Sequence, residues 1–245
     1  MLKRQTLRGV VWVDLDSPTS EEIKQVMNEY AIHPIIAEDL LAPTARPRID
    51  VYERFIYIVL HFPALRHTHS LTTNQEVDFL IGKDFLITAH YDTIDPLHKF
   101  SKIFEVSSIL ESASTAENPL DGNPEREGAR EHAGSIFFAL IRKLYRSVIH
   151  ELEFSNDALR EVEERIFHGR EKQMVVEISK IGRDLLNIKQ SLAPHRDILD
   201  QFRDVSLGFF GESFAYRAKT ILHEHNRVRM LLENAIAIVD ELREK

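Results

Sequence analysis

The sequence predicts an α+β (α/β) chain: an N-terminal mixed β-sheet flanked by helices, then a long antiparallel helical hairpin and a long C-terminal stalk helix. Three observations lead there. Short β-branched and aromatic runs, separated by turn residues, fill the region up to His90. A polar stretch at 112–130, rich in Ser, Asn, Gly, Pro and charge, then interrupts the pattern. Beyond it, apolar residues recur in alternating steps of four and three, the period of packed helices.

Each element has a local cause. Residues 10–15 form a short apolar strand. Ser17-Pro18 offers an N-cap followed by proline at the first helical position, and Glu21 and Glu22 favour the start of a helix. That helix runs to about Tyr30 on Ile23, Val26 and Met27. His33-Pro34 ends what precedes it, because a residue before proline is pushed out of the helical region. Pro34 then sits in the first turn of a short helix over 35–41. Arg46-Pro47-Arg48 forces an extended approach to the β-branched and aromatic run Ile49 to Leu60, with strand read over Val51 to Phe62. Residues 76–81 and 85–90 are two more strands joined by the turn Gly82-Lys83-Asp84. Helical periodicity returns over 94–111.

The polar stretch 112–130 is too poor in apolar residues to offset its ordering cost and is expected to be a flexible linker. The domains are therefore expected at 1–111 (α/β), 131–207 (helical hairpin) and 212–245 (stalk). One hairpin seam reads Ile141, Tyr145, Val148, Leu152, Ser155, Leu159, Val162, Ile166. Its partner reads Met174, Ile178, Ile181, Leu185, Ile188, Leu192, His195, Leu199, Phe202, with Gly169 between them where a turn is needed. Pro194 kinks the second helix unless it lies near a break. Gly208 and Gly211 end that helix and Glu212 begins a third, with the seam Phe214, Ala218, Ile221, His225, Val228, Leu232, Ala235, Val239, Leu242. At 1.5 Å per residue the third helix extends roughly 50 Å. No stop signal precedes Lys245, so the helix is expected to lead onward.

Totals exclude several functions. There is no cysteine, which rules out disulfides and thiolate metal sites. A formal charge of −8 argues against nucleic acid as a partner, which needs a basic footprint. The first residues have no apolar core of a signal peptide. No apolar run approaches the ~20 residues of a spanning helix. The chain is therefore expected to behave as a soluble piece. No nucleophile with a positioned base, Gly-rich phosphate loop or HExxH ligand pair is present, so no enzyme and no organic cofactor are expected.

The passage His33-Pro34 through Glu38-Asp39 to Arg46-Pro47-Arg48 resembles the H-P-x-x-x-E-D-[IL]-L…R-P-[KR] passage of the CorA family of divalent-cation transporters. Trp12-Val13-Asp14-Leu15 is similar to that family's W-[IV]-x-[IL] strand. Glu76-Val77-Asp78-Phe79-Leu80 with Phe85-Leu86-Ile87-Thr88 resembles its E-x-V-x-x-[FI]-L hairpin, and Pro194-His195-Arg196-Asp197-Ile198-Leu199 its P-x-R-[ED]-[VI]-L passage. Each piece is short; their order and spacing together are specific.

The resemblance implies the cytosolic regulatory domain of a Mg2+/Co2+ transporter, a homopentameric funnel at the cytoplasmic face of the cell membrane. It implies a membrane part that follows the stalk and is missing from this chain, as is the family's Gly-Met-Asn signature. It further implies that divalent ions between neighbouring subunits hold the closed state. Asp39 matches the second acid of the E-D pair, with Glu38 beside it. The partner acid's position falls at Thr220, with Glu224 about one turn later. An acidic face of the first hairpin helix is replaced by Arg142, Arg146 and Ser147. A ZntB-like zinc transporter is the alternative within the family, and an oligomeric assembly module without transport the alternative outside it.

Read from the residues alone, Mg2+ and Co2+ accept oxygen ligands and water, so one or two carboxylates suffice. Adjacent helical acids point apart, so Glu38 and Asp39 need help to chelate one ion; a solvated helix face is the plain alternative. His61, His67 and His69 gather near a strand end and could meet Zn2+, but no supporting acid is apparent nearby. His223-Glu224-His225 diverge on a helix, and His195 lies in an apolar seam as a packed residue.

Overall fold

A computed structural model describes residues 1–63, 74–117, 132–167 and 171–244. Six strands form one sheet: β1 (Leu2–Leu7), β2 (Val10–Asp16), β3 (Arg48–Val51), β4 (Ile56–Phe62), β5 (Gln75–Ile81) and β6 (Phe85–His90). The order is β1-β2-β6-β5-β4-β3, with β2 and β6 parallel and every other pair antiparallel. The mixed sheet expected from the sequence is present.

Period-two alternation divides the central strands between two cores. Ile56, Ile58 and Leu60 of β4, with Trp12, Phe79 and Leu86, face the long helices. Tyr57 and Val59, with Val13, Leu80 and Ile87, face α1 (Ser20–Tyr30) and α2 (Pro34–Asp39). Both faces of β4 and β5 are covered, which is why these strands read as near-continuous apolar runs.

Three local expectations are corrected. Thr19, not Ser17, caps α1: its hydroxyl accepts from Glu22 N while the Glu22 carboxylate accepts from Thr19 N. Ser17 instead takes a positive φ of 45° where the chain leaves β2. The run from Ile49 to Phe62 is a hairpin rather than one strand, because Tyr52 N bonds Phe55 O at 3.0 Å and folds β3 back on β4. The third helix, α3 (Asp95–Glu117), continues six residues into the expected linker; residues 118–131 lie outside the described part. Strand β1 was not anticipated. Its LKRQTL sequence alternates at a half-exposed edge, where charges are ordinary.

The helical half comprises α4 (Ala133–Phe167), α5 (Glu171–Leu192), α6 (His195–Phe210) and α7 (Ala215–Glu244). Pro194 lies in the break between α5 and α6, as its missing N–H requires. Gly211, at φ 83°, ends α6, and a 3-10 turn over Glu212–Phe214 precedes α7. Every residue of the third seam is buried. One continuous core joins the sheet to all four helices: Phe137 of α4 sits edge-on to Phe79 of β5 and to Phe202 of α6, at 5.1 and 4.9 Å between ring centres.

Candidate metal contact around Asp39

His33 and Pro34 build the start of α2. The His33 Nδ1 accepts from Ile35 N at 3.3 Å, and proline fills the first turn, where no N–H is needed. Ile36 and Ala37 dock this helix on the sheet, which leaves Glu38 exposed and Asp39 half-buried at its last position.

Asp39 is not a free carboxylate. Its Oδ2 is bound by the Arg48 guanidinium from the first residue of β3. The Nε of Arg48 donates to Asp50 Oδ2 at 3.0 Å, and the guanidinium lies 5.2 Å from the centre of the Tyr57 ring. Arg48 and Asp50 were missed as site residues, although strand period two puts them on one face.

Beneath this pair lies Asp78, fully buried in β5. Burial first, then the neighbouring Glu76 charge, push its carboxyl well above the usual carboxylate range. The Tyr91 hydroxyl is 3.2 Å from Asp78 Oδ2 and 3.1 Å from the backbone oxygen of Asp39. It pins the end of α2. Arg48 thus bridges two acids, Asp39 and Asp50, with Glu38 exposed on the same short helix as Asp39.

Glu224 lies elsewhere, on α7. Its Oε1 is 3.0 Å from the Nε of Arg142 on α4, and its side chain is 12% exposed. No hydrogen bond or ion pair joins Glu38, Asp39 and Glu224 within the chain. Among the described residues no group of three or more His, Asp or Glu is placed to hold a metal. A Mg2+ ion needs few protein oxygens, and Asp39 keeps one carboxylate oxygen outside the Arg48 contact; a closed site would need oxygens from a second copy.

His61 and His195 have structural partners. His61 does have an acid: register sets it opposite Glu76, at 2.7 Å from Oε2. Glu76 also takes Thr44 N at 2.8 and 2.9 Å and so holds the α2–β3 loop. His67 and His69 lie outside the described residues. His195 is fully buried, 3.0 Å from His61 O through Nε2 and 2.9 Å from the Tyr145 hydroxyl through Nδ1. Burial, and then the charge of His225, push its pKa down to about 3. It is therefore a neutral ring, with Nε2–H donating to the carbonyl and Nδ1 accepting from tyrosine.

A three-layered mixed sheet carrying a long hairpin and stalk, with an acid-bearing short helix on its rim, defines the class. The family model of the CorA-like Mg2+ transporter protein matches residues 8–245, and the chain belongs to that family. It is 27% identical over 199 residues to the putative metal ion transporter YfjQ of Bacillus subtilis, covering 80% of this chain and 54% of that one. It is 23% identical over 200 residues to the cobalt/magnesium transport protein CorA of Thermotoga maritima, covering 79% and 51%. The chain thus spans about half the length of these relatives. The complete CorA magnesium transporter structure from Methanocaldococcus jannaschii superposes with a TM-score of 0.74 at 15% identity, covering 96% of this chain and 68% of that one. The ZntB cytoplasmic domain from Vibrio parahaemolyticus gives 0.73 at 11%, covering 97% and 86%. At these identities the structures share the fold. No helix among the described residues is long and apolar enough to cross a membrane.

Proposed function

We propose that this chain is the cytosolic funnel domain of a homopentameric Mg2+/Co2+ transporter, in which divalent cation bound at Asp39 acts on the assembly. The observation that carries the reading is the family match over residues 8–245, joined to the acids Asp39 and Asp50 gathered around Arg48 at the end of the short helix that bears the matching acid pair. Asp39 is supported as the contact by its fixed backbone, pinned by Tyr91, and by the Asp50 carboxylate across Arg48. A neighbouring copy supplies further oxygens, with Glu224 the acid assigned to that role. Mg2+ and Co2+ are the transported ions as well as the regulatory ones.

The zinc-type alternative is favoured by one observation. Arg142 already neutralises Glu224, so a fixed guanidinium stands where a regulatory cation would otherwise be required. The deciding experiment is flux through the full-length gene product in liposomes. Uptake of Mg2+ and Co2+ that falls as internal Mg2+ rises supports the sensing reading. Zn2+ uptake indifferent to internal Mg2+ replaces it with the zinc-type one. No flux of any of the three ions leaves the assembly-module reading.

A further inference from the structure

Asp39 ends α2, and its carbonyl lacks the usual helical donor because Pro43 stands four residues on and has no N–H. Among the described residues, the one group that donates to this oxygen is the Tyr91 hydroxyl, 3.1 Å away. The same hydroxyl lies 3.2 Å from Asp78 Oδ2. A phenol has one hydrogen, so it cannot serve both acceptors at once. Burial raises the Tyr91 pKa above that of an ordinary tyrosine, and the hydroxyl keeps that hydrogen.

Which acceptor wins is decided by Asp78. Its side chain is fully buried, and no cation pairs with it among the described residues. The charged and titratable groups around it are Glu76 on β5 itself, Tyr57 on β4, Arg48 on β3, Asp39 at the end of α2 and Tyr91 just after β6. Arg48 is the one cation of that set, and Asp39 and Asp50 already engage it. An ionised Asp78 would accept from Tyr91 and Tyr57 alone, at 3.2 and 3.5 Å, with two other acids close by. So poorly matched a buried charge is costly. It would also take the Tyr91 hydrogen, since a charged acceptor outcompetes a carbonyl, and leave Asp39 O bare. A protonated Asp78 satisfies every group. Its own O–H donates to the Tyr91 oxygen, the Tyr91 O–H donates to Asp39 O, and Oδ1 remains for the Tyr57 hydroxyl.

We propose that Asp78 is a buried proton site and that its proton works a latch on Asp39. While the proton is held, Tyr91 ties down the end of α2. When it is lost, the Tyr91 hydrogen turns to Asp78 and the last carbonyl of α2 is released. The bearing on transport rests on the reading of Asp39 as a cation contact, which the latch deepens by making the placement of that acid depend on a proton. The latch itself involves no metal ion, and Asp78 makes no hydrogen bond or ion pair to Asp39. Its test is run without metal, so failure of the latch and failure of the cation contact are separate results.

The experiment follows the Asp78 13Cγ and Asp39 carbonyl 13C resonances of the metal-free chain at pH 6, with urea stability measured at pH 5 and pH 6. Asp78 is expected to give the signal of a protonated carboxyl at pH 6, where exposed carboxylates are charged. Tyr91→Phe displaces the Asp39 carbonyl resonance. Asp78→Asn leaves it in place, because the amide donates to Tyr91 as the carboxyl does. The unfolded chain releases the Asp78 proton near pH 4 while the folded chain keeps it, so the stabilisation is present below that pH and declines as pH rises. The folding equilibrium of the parent therefore falls about tenfold relative to Asp78→Asn between pH 5 and pH 6. All other titrating groups are common to both proteins and cancel. An ionised Asp78 at pH 6, the same pH dependence in both proteins, or an Asp39 resonance indifferent to Tyr91→Phe overturns the proposal.

Discussion

Arg142 of α4 and Glu224 of α7 meet at 3.0 Å across the face where the hairpin packs on the stalk, and the Glu224 side chain is 12% exposed there. The Arg142 guanidinium also lies 5.2 Å from the centre of the Phe138 ring, so stacking holds it in place. Arg142→Gln strands a largely buried carboxylate and lowers stability by about 1–3 kcal/mol. Because the freed carboxylate then seeks another cation, Mg2+ raises the thermal midpoint of the variant more than that of the parent. Urea midpoints measure the first effect and thermal midpoints with and without Mg2+ the second, and an unchanged Mg2+ response removes Glu224 from the cation contact.

Asp39→Asn loses the stabilisation that millimolar Co2+ or Mg2+ gives the assembled protein, because that gain follows mass action on the native state. His67→Ala with His69→Ala leaves it intact. Thermal midpoints against ion concentration decide between them. Retention of the metal response in Asp39→Asn, with loss in the double histidine variant, transfers the contact to the histidines.

Arg48→Gln has two consequences of opposite sign. It removes an ion pair at a partly exposed surface, worth no more than about 1 kcal/mol. It also leaves Asp39 and Asp50 without their shared counter-charge, so divalent cation binds the variant more tightly. Calorimetric titration with Co2+ checks the direction; weaker binding would mean that Arg48 orients the acids for the ion rather than competing with it.

His195 makes the fold acid-sensitive. Burial and the charge of His225 push its pKa down to about 3, against about 6.5 when unfolded. Below pH 6.5 the unfolded chain takes a proton that the folded chain refuses. The stability His195 contributes is therefore present above that pH and is lost as pH falls toward 3. His195→Gln is less stable at pH 7.5, since Tyr145 and His61 lose a fitted partner, yet its stability falls less steeply between pH 6.5 and 5. Parallel slopes for both proteins would exclude His195 as the cause.

His90 works in the opposite sense. Burial opposes its charge, but the Asp14 carboxylate 3.4 Å from Nε2, together with the Asp92 carbonyl at Nδ1 and the Asp16 charge, raises its pKa. That stabilisation is fully present below pH 6.5 and is lost as pH rises through the elevated folded value. Asp14→Asn should flatten the decline on the alkaline side while costing stability at pH 6. Urea titrations across pH 6–9 provide the comparison.

The seams were legible because packed helices impose their period on sequence: all nine residues from Phe214 to Leu242 named for the stalk are buried. Asp39 and Glu224 could be picked from the chain as acids, but their arginines could not. Arg48 and Arg142 reach them only after the sheet and hairpin have formed. Glu76 escaped notice as the partner of His61 for the same reason, since the β4–β5 register alone sets them opposite. The β3–β4 turn was invisible because Glu53-Arg54 carries none of the Gly or Asn that normally announces a two-residue turn.

The parallel pairing of β2 with β6 also has a kinetic meaning. Val11 takes its place beside Phe85, so the β2–β6 ladder joins segments far apart in the sequence, unlike the β4–β5 and β5–β6 pairs. Closing so long a loop is slow relative to hairpin formation. Trp12, whose indole donates to Thr88 of β6 at 3.0 Å and stacks edge-on with Phe100 and Phe104 of α3, is the single tryptophan of the chain. Its fluorescence is therefore a clock for the late step, and should lag the far-ultraviolet signal of the helices during refolding.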